Sequence, residues 1–174
     1  MIEWKKEMGD ILMEMKEQIT IRRAGEKDVD RVLSLLSQVL EIHAKIRPDI
    51  FIPGTTKYTR EELLGIFANE LTPVYVAVDE TDEVLGYAFC VQKAQPFSNN
   101  MVPFDAFFID DLCVDESARG KHIGQLLFAF VKEEAKRRGC YEITLNVWEG
   151  NDAAKAFYEK MGLTVKESQL ELIL

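Results

Sequence analysis

The sequence predicts a mixed α/β fold in which a central, mostly antiparallel sheet is flanked by helices. Apolar residues recur at the 3.6-residue helical period in several segments, most clearly over residues 123–135. Short β-branched or apolar runs, such as 74–78 and 84–91, are typical of strands. The second half of the chain then reads as strand, helix, strand, helix, strand, an order that indicates layers of helices packed on a sheet.

Length and composition favour one globular domain. The chain has 174 residues, of which 47% are hydrophobic and 29% charged. We expect residues 1–17 to be an N-terminal helical extension and 18–174 a single domain. The net charge of −9 disfavours binding to nucleic acid. Because the sequence shows neither a membrane-spanning apolar run nor a secretory signal pattern, we expect a cytoplasmic protein without a membrane partner.

The first half of the chain predicts three helices and one strand. An apolar helical stripe in residues 3–18 predicts the N-terminal helix, and residues 18–24 predict a strand. Gly25, with Asp28 three residues later, is a candidate cap for a second helix whose stripe reaches His43. Thr59 and Glu62 form a capping-box pattern at the start of a third helix. The apolar stripe of that helix consists of Leu63, Leu64, Phe67 and Leu71.

The irregular stretch 44–58 is long enough to be functional. We expect Asp49 and Phe51, within it, to contact a substrate. The alternative is a turn-rich connector in which Phe51 plugs the core.

The second half supplies most of the predicted sheet. Residues 74–78 and 84–91 predict a hairpin, and the nearly continuous apolar run 106–114 predicts a buried central strand. A helix over 123–135 ends before Gly139 and is followed by a strand over 143–147. Asn151 is a candidate cap for a short last helix, and 164–174 is expected to close the chain as an extended strand.

A glycine-containing basic turn, Arg119-Gly120-Lys121-His122-Ile123-Gly124, links strand 106–114 to the next helix. Backbone N–H groups and the positive end of a helix dipole meet at such a turn, which suits a phosphate. The turn lacks both the GK(S/T) ending of a nucleotide triphosphate loop and the GxGxxG spacing of a dinucleotide fold. The alternative is a solvated basic turn.

Two segments together carry a resemblance to a known family. FIDDLCVDESARGKHIGQLL, followed by NVWEGNDAAKAFYEKMGL, resembles the GNAT superfamily of acetyl-CoA-dependent N-acetyltransferases, whose element order matches from about residue 18 to the end. The family's pyrophosphate loop has Gln or Arg first, Gly fourth, and Gly or Ala sixth. Arg119 and Gly124 match, whereas His122 stands where the middle glycine is usual. If that position needs a positive φ, histidine adopts it at modest cost.

The resemblance implies an acetyl-CoA site between two parting strands, 112–114 and 143–147. The turn would hold the pyrophosphate, and the strand and helix residues would hold the pantetheine arm. No metal site is expected, because the three cysteines lack CxxC spacing. The implied cofactor-binding residues are Leu112, Cys113, Val114, Arg119, Gly120, Lys121, His122, Ile123, Gly124, Asn151, Ala154 and Phe157.

The resemblance also implies catalytic roles. Tyr158 lies where the family often places the general acid that protonates the departing thiolate; the alternative is an aromatic that only packs beside Phe157. Asp110 matches an acidic position that some relatives use as a base, and it is also an expected substrate contact. Strand alternation sends Asp111 to the other face. A covalent role for Cys113 is disfavoured because no histidine is placed to activate it.

The resulting expectation is direct acetyl transfer, in a ternary complex, from acetyl-CoA to a primary amine. The acceptor would be a small, cationic molecule or a protein N-terminus, and a homodimer is compatible with the fold. Two alternatives stay open: use of another acyl chain, and a non-catalytic acyl-CoA-binding sensor or interaction module.

Overall fold

The computed structural model describes residues 19–94 and 99–174, so the expected N-terminal extension lies outside the described residues. Within them, five strands form one sheet in chain order. The strands are β1 (Thr20–Arg23), β2 (Val74–Val78), β3 (Val84–Ala94), β4 (Asp105–Val114) and β5 (Glu142–Leu145). Neighbours from β1 to β4 are antiparallel, and β4 and β5 are parallel. The predicted mixed, mostly antiparallel sheet is therefore confirmed.

Four α-helices flank the sheet in the described part of the chain. They are α1 (Val29–Ile46), α2 (Arg60–Ala68), α3 (Ile123–Arg137) and α4 (Asp152–Lys160), and short 3₁₀ turns at Glu26–Asp28 and Glu116–Ala118 precede α1 and α3. The predicted capping box begins α2: Glu62 N donates to Thr59 Oγ1 at 3.2 Å, and Thr59 N donates to Glu62 Oε2 at 2.7 Å. None of the helices in the described ranges is long and apolar enough to cross a membrane.

Helices cover both faces of the sheet, and β2 shows why. All five of its side chains are buried, and they alternate between two cores. Val74, Val76 and Val78 point into the core beneath α1 and α2, whereas Tyr75 and Ala77 point into the core beneath α3. An apolar run without polar alternation is thus explained by burial on both sides.

Two predicted elements end earlier than the pattern indicated. Leu71 was expected on the stripe of α2, but the helix ends at Ala68 and Leu71 is exposed. Asn69 adopts extended backbone and its side-chain oxygen accepts a hydrogen bond from Leu71 N, so a local turn replaces the last helical turn. Strand β5 ends at Leu145, two residues before the predicted end, because its pairing with β4 stops there.

The predicted closing strand, 164–174, is wrong for the single chain. The structure assigns it no strand, and its last backbone bond to the fold is from Leu163 N to Tyr158 O. A strand exists only when its N–H and C=O groups meet those of a neighbour, and this segment has no such neighbour among the described residues.

Candidate active site

The site begins where β4 and β5 part. Their parallel pairing runs from Ala106 opposite Glu142 to Ile109 opposite Leu145 and stops. Strand β4 continues to Val114, whereas the chain after Leu145 leaves the sheet. The parting predicted between 112–114 and the end of the following strand is therefore confirmed. The two strands are therefore unpaired beyond this point, which leaves an opening where backbone groups of β4 on the β5 side can bind an extended ligand.

The basic turn enters α3 through two residues with positive φ. Gly120 has φ 80° and His122 has φ 56°, the left-handed region that glycine adopts most easily. α3 begins at Ile123, so its first N–H groups and the positive end of its dipole lie at this turn. Arg119 and Lys121 are exposed beside it. The arrangement suits a phosphate group.

His122 occupies the turn in the conformation that explains why glycine is usual there. Its side chain is half-buried, and its Nδ1 lies 3.2 Å from Gln125 Oε1 on the first turn of α3. This contact holds the imidazole against its own helix. The backbone N–H groups that would meet a phosphate keep their positions, because the left-handed conformation is reached without glycine.

The left-handed residue yields a stability prediction. His122→Val is expected to lower the free energy of unfolding by about 1 kcal/mol, because a β-branched side chain is strained at positive φ. His122→Gly is expected to stay within about 0.5 kcal/mol of wild type. Urea unfolding measures both. Lys121→Val, at a neighbour without positive φ, is the control; equal losses for both valine variants would contradict the strain argument.

Asp115 anchors the turn to α1, a role that the sequence interpretation missed. Its carboxylate accepts hydrogen bonds from Ser117 N at 2.8 Å and from the Ser117 hydroxyl, and pairs with Arg31 of α1 at 2.5 Å. These bonds, led by that of the Ser117 hydroxyl, hold the pKa of Asp115 well below its usual value. The Asp-x-Ser pattern directly after a buried strand was the available signal.

The start of α3 lies beside α4. A Cβ built on Gly124 would lie 3.4 Å from the Phe157 ring and 3.6 Å from Val114 Cγ2, an ordinary van der Waals contact, so this position is close to both residues. Asn151 Oδ1 accepts a hydrogen bond from Ala154 N at 3.3 Å and so caps α4. The structure thus brings Gly124, Val114 and Phe157 together, and it uses the Asn151 side chain as the helix cap.

Tyr158 lies on α4 with its ring half-buried. Its ring centroid is 5.1 Å from that of Phe157 and 6.4 Å from that of Phe128. Burial raises the pKa of the Tyr158 phenol, and the charge of Asp111 raises it further. The phenol therefore stays protonated at neutral pH and can donate a proton. Its ring also packs against Phe157, so the geometry is compatible with the alternative of a packing role as well.

The expectation that the two neighbouring aspartates of β4 point to opposite faces is wrong. The register shifts so that Phe89 lies opposite Asp111 and Cys90 opposite Ile109, and the extra residue, Asp110, interrupts the alternation. Both carboxylates therefore lie towards the α2 side, where Lys57 acts on each of them.

Asp110 is partly exposed and pairs with Lys57 Nζ at 2.7 Å. Asp111 accepts a hydrogen bond from the Tyr87 hydroxyl at 2.9 Å, and burial raises its pKa to about 6. A carboxylate with that pKa is ionised at pH 7 yet basic enough to take a proton. Asp111 is the candidate base that the sequence interpretation passed over.

A small cavity adjoins Asp110 on the α2 side. Its volume is about 120 Å³, and it is bounded by the aromatic rings of Tyr58 and Phe89 and by Asp110. The Tyr58 and Phe89 rings are stacked with their centroids 5.9 Å apart. The remaining lining residues are Ile66, Thr72, Cys90 and Val91. The cavity offers an apolar wall with one carboxylate, a combination suited to an amine.

The loop after α1 contacts the segment that follows β5. The Phe51 ring lies 5.1 Å from His43 and 5.4 Å, edge-on, from Trp148, which follows β5. Burial, with a smaller effect of Lys57, lowers the pKa of His43 and favours its neutral form. Asp49 binds the Arg47 guanidinium at 2.7 Å on the surface. Phe51 therefore contacts the segment beyond β5, whereas Asp49 is held by Arg47.

Cys113 has a structural environment. It is buried, and its thiol lies 3.8 Å from the carbonyl oxygen of Leu35. Burial raises its pKa to about 12, which disfavours the thiolate that covalent catalysis needs. Over residues 19–94 and 99–174, no three His, Cys, Asp or Glu side chains cluster as metal ligands do.

Comparisons with known proteins converge on one family. The acetyltransferase (GNAT) family profile matches residues 36–163. A crystal structure of a mutant BH1408 protein from Bacillus halodurans superposes with a TM-score of 0.85 at 34% identity, covering 89% of this chain and 99% of that one.

Two curated relatives show partial likeness. Glucosamine 6-phosphate N-acetyltransferase of Arabidopsis thaliana is 37% identical over 62 residues, which are 36% of this chain and 40% of that protein. Peptidyl-lysine N-acetyltransferase YjaB of Salmonella typhimurium is 26% identical over 147 residues, 84% of each chain. The match thus spans about two-fifths of the first relative's length.

Proposed function

The chain belongs to the acetyltransferase (GNAT) family, and from that membership we propose that it transfers an acetyl group from acetyl-CoA directly to a primary amine. The acceptor is a small, cationic molecule or a protein N-terminus. The parting of β4 and β5 after Ile109 and Leu145 carries the proposal, because it leaves backbone groups for a pantetheine arm beside the phosphate-suited turn.

The cofactor residues divide by chemistry. Arg119, Gly120, Lys121, His122, Ile123 and Gly124 supply the cations and N–H groups for the pyrophosphate. Leu112, Cys113 and Val114 supply backbone groups for the pantetheine, and the wall opposite comes from Asn151, Ala154 and Phe157 on α4. Acetyl-CoA, when bound, supplies the thioester. The left-handed turn and the close approach of Gly124 to Phe157 support this assignment.

Proton transfers are assigned to two residues. With acetyl-CoA bound, Asp111 would take one proton from the acceptor ammonium, and the nitrogen would replace the thiolate on the acetyl carbon. Tyr158 would protonate the departing thiolate, and the second proton that the nitrogen loses as the amide forms would restore the Tyr158 phenol. Support comes from the raised pKa of Asp111 at about 6 and from its electrostatic effect on Tyr158.

Asp110 takes a binding role in this scheme. Its carboxylate borders the cavity and pairs with Lys57, so a cationic acceptor that reaches it exchanges with the lysine ammonium. Sequence reasoning favoured Asp110 as the base; its exposure and its ion pair favour Asp111 for that step instead. Phe51 and Asp49 are kept as acceptor contacts on the loop after α1.

A primary amine as the reacting group agrees with the relatives. Their names specify an amino sugar phosphate and a peptidyl lysine, both of which carry a primary amine. The net charge of −9 favours a cationic acceptor over an anionic one. These features support an amine acceptor and leave its identity to assay.

The direct test is thiol release from acetyl-CoA with a panel of polyamines, aminoglycosides, amino acids and peptides with free amino termini. Acetyl-CoA binding is measured separately by calorimetry. Release with at least one amine supports transfer, and propionyl-CoA in place of acetyl-CoA tests the acyl chain. Binding without release across the panel would favour the acyl-CoA-binding sensor instead.

A further inference from the structure

Tyr87 is a fully buried tyrosine of β3 whose hydroxyl is bonded to Asp111. The hydroxyl donates to Asp111 Oδ2 at 2.9 Å, and the Tyr87 ring meets the Phe89 ring edge-on with the centroids 5.1 Å apart. A phenylalanine would pack in this core without the cost of burying a hydroxyl. Packing therefore accounts for the ring of Tyr87, and the hydroxyl needs another reason.

Strand pairing places the Tyr87 hydroxyl beside the carboxylate. Tyr87 lies opposite Cys113 and Phe89 lies opposite Asp111, so Tyr87 and Asp111 are diagonal neighbours on one face of the β3–β4 pair. An aromatic side chain is long enough to span such a diagonal. Because both residues lie within paired strands, the sheet itself fixes the hydrogen bond between them.

Opposing effects act on the ionisation of Asp111. Burial raises its pKa to about 6, and the negative charge of Asp110 acts in the same direction. The hydrogen bond from Tyr87 is the largest effect that lowers the pKa, followed by the positive charge of Lys57 and the N–H group of Leu112. A donor bonded to a carboxylate favours its ionised form, so the Tyr87 hydroxyl works against the effect of burial.

The other titratable groups near Asp111 do not supply this hydrogen bond. Burial raises the pKa of the Cys113 thiol to about 12 and raises that of the Tyr158 phenol, so both groups are neutral at pH 7. Lys57, which precedes α2, pairs with Asp110 at 2.7 Å and acts on Asp111 through its charge. Among the described residues, the Tyr87 hydroxyl is the side-chain donor bonded directly to Asp111.

We propose that Tyr87 is a positioning residue for acetyl transfer, whose hydrogen bond orients the Asp111 carboxylate and keeps it ionised at neutral pH. The inference rests on the proposed function, in which Asp111 takes a proton from the acceptor. Tyr87 acts through Asp111 and takes up no proton itself, because burial raises the pKa of its phenol well above the usual value. Without the hydrogen bond, a larger share of Asp111 would be protonated near pH 7 and unable to act as a base.

Tyr87→Phe tests the hydrogen bond, because it keeps the ring and its contact with Phe89 and should keep the wild-type fold by circular dichroism. The Asp111 carboxyl carbon is followed by NMR in the protein without acetyl-CoA and is identified by its loss in Asp111→Asn. We expect its titration midpoint in Tyr87→Phe to be about 1 to 2 pH units above that of wild type. Tyr75→Phe is the matched control, because Tyr75 is a buried tyrosine of β2 that points into the core beneath α3. It should leave the midpoint unchanged.

The pH profile of kcat/KM with a reactive amine separates positioning from packing. The acid-side fall of Tyr87→Phe should begin about 1 to 2 pH units higher than that of wild type. Its kcat/KM should be about 10- to 100-fold below wild type at pH 5 and within about threefold at pH 9, where Asp111 is ionised in both proteins. An equal loss at every pH would indicate a packing role and would overturn the inference.

The two measurements distinguish failure of the inference from failure of the proposed function. An Asp111 midpoint that Tyr87→Phe leaves unchanged would overturn the inference, even if the protein acetylates amines. A midpoint that moves while the pH profile stays in place would overturn the assignment of Asp111 as the base, and with it the role of Tyr87 in transfer. Absence of thiol release by wild type with every amine would overturn the proposed function, and the NMR titration, made without acetyl-CoA, tells this failure apart from the first.

Discussion

Asp111→Asn is expected to lower kcat/KM for amine acetylation by about 10²- to 10⁴-fold, the usual contribution of a general base. Asparagine keeps the size of the side chain and can accept the Tyr87 hydrogen bond, but it takes up no proton. In the wild type, kcat/KM should fall about tenfold per pH unit below pH 6, because the pKa of Asp111 is about 6 and only its ionised form accepts a proton. The pH profile of kcat/KM measures both effects.

Asp110→Asn is the matched control for that substitution. It removes one charge from the neighbouring position and breaks the pair with Lys57. We expect it to raise KM for a cationic acceptor, while the fall in kcat/KM below pH 6 persists. If that fall were lost in Asp110→Asn and kept in Asp111→Asn, the role of base would return to Asp110.

The same raised pKa predicts a gain in stability, which separates the loss of activity from misfolding. Because the folded pKa of Asp111, about 6, exceeds the usual value of about 4, the folded state favours the protonated acid. The contribution of protonated Asp111 to the free energy of unfolding is therefore full below pH 4 and is lost as the pH rises through 6. Asp111→Asn should therefore have a free energy of unfolding about 3 kcal/mol above that of wild type at pH 8, and close to it at pH 4, as urea unfolding measures.

Tyr158→Phe is expected to lower kcat by about 10²-fold or more while acetyl-CoA affinity stays within about twofold of wild type. Phenylalanine keeps the ring contacts with Phe157 and Phe128 and loses only the hydroxyl that would protonate the thiolate. Stopped-flow turnover and calorimetric binding measure the two quantities.

Tyr141→Phe is the control for the loss of a phenol, because Tyr141 is 76% exposed and has no assigned role. It should leave both kcat and affinity unchanged. If Tyr158→Phe also turns over at the wild-type rate, Tyr158 serves only in packing, and another group or water protonates the thiolate.

Features that depend on residues a few positions apart were predictable. The capping box of Thr59 and Glu62 was predicted from local spacing, and His122 adopts the positive φ that was judged acceptable for histidine. Caps and allowed φ values are properties of a short stretch of backbone, so the sequence itself contains them. The alternation predicted for Asp110 and Asp111 failed, because the pairing of β4 with β3 contains a bulge that no local pattern records.

The roles of the two aspartates were not predictable, because their partners are remote in sequence. Asp110 pairs with Lys57 across 53 positions, and Asp111 is bonded to Tyr87 across 24. A register shift between Phe89 and Cys90 decides which β4 residues face which β3 residues. Burial by packed helices then sets the pKa of Asp111, and no local pattern records that burial.

The sequence by itself therefore determined the fold class, the phosphate-suited turn and the family, since each rests on periodicity or on a short motif. Only the tertiary structure decided which carboxylate is buried and basic, and that residues 164–174 have a strand pattern without a strand partner. The reason is common to both: burial and backbone pairing depend on groups distant in the chain, which no local pattern records.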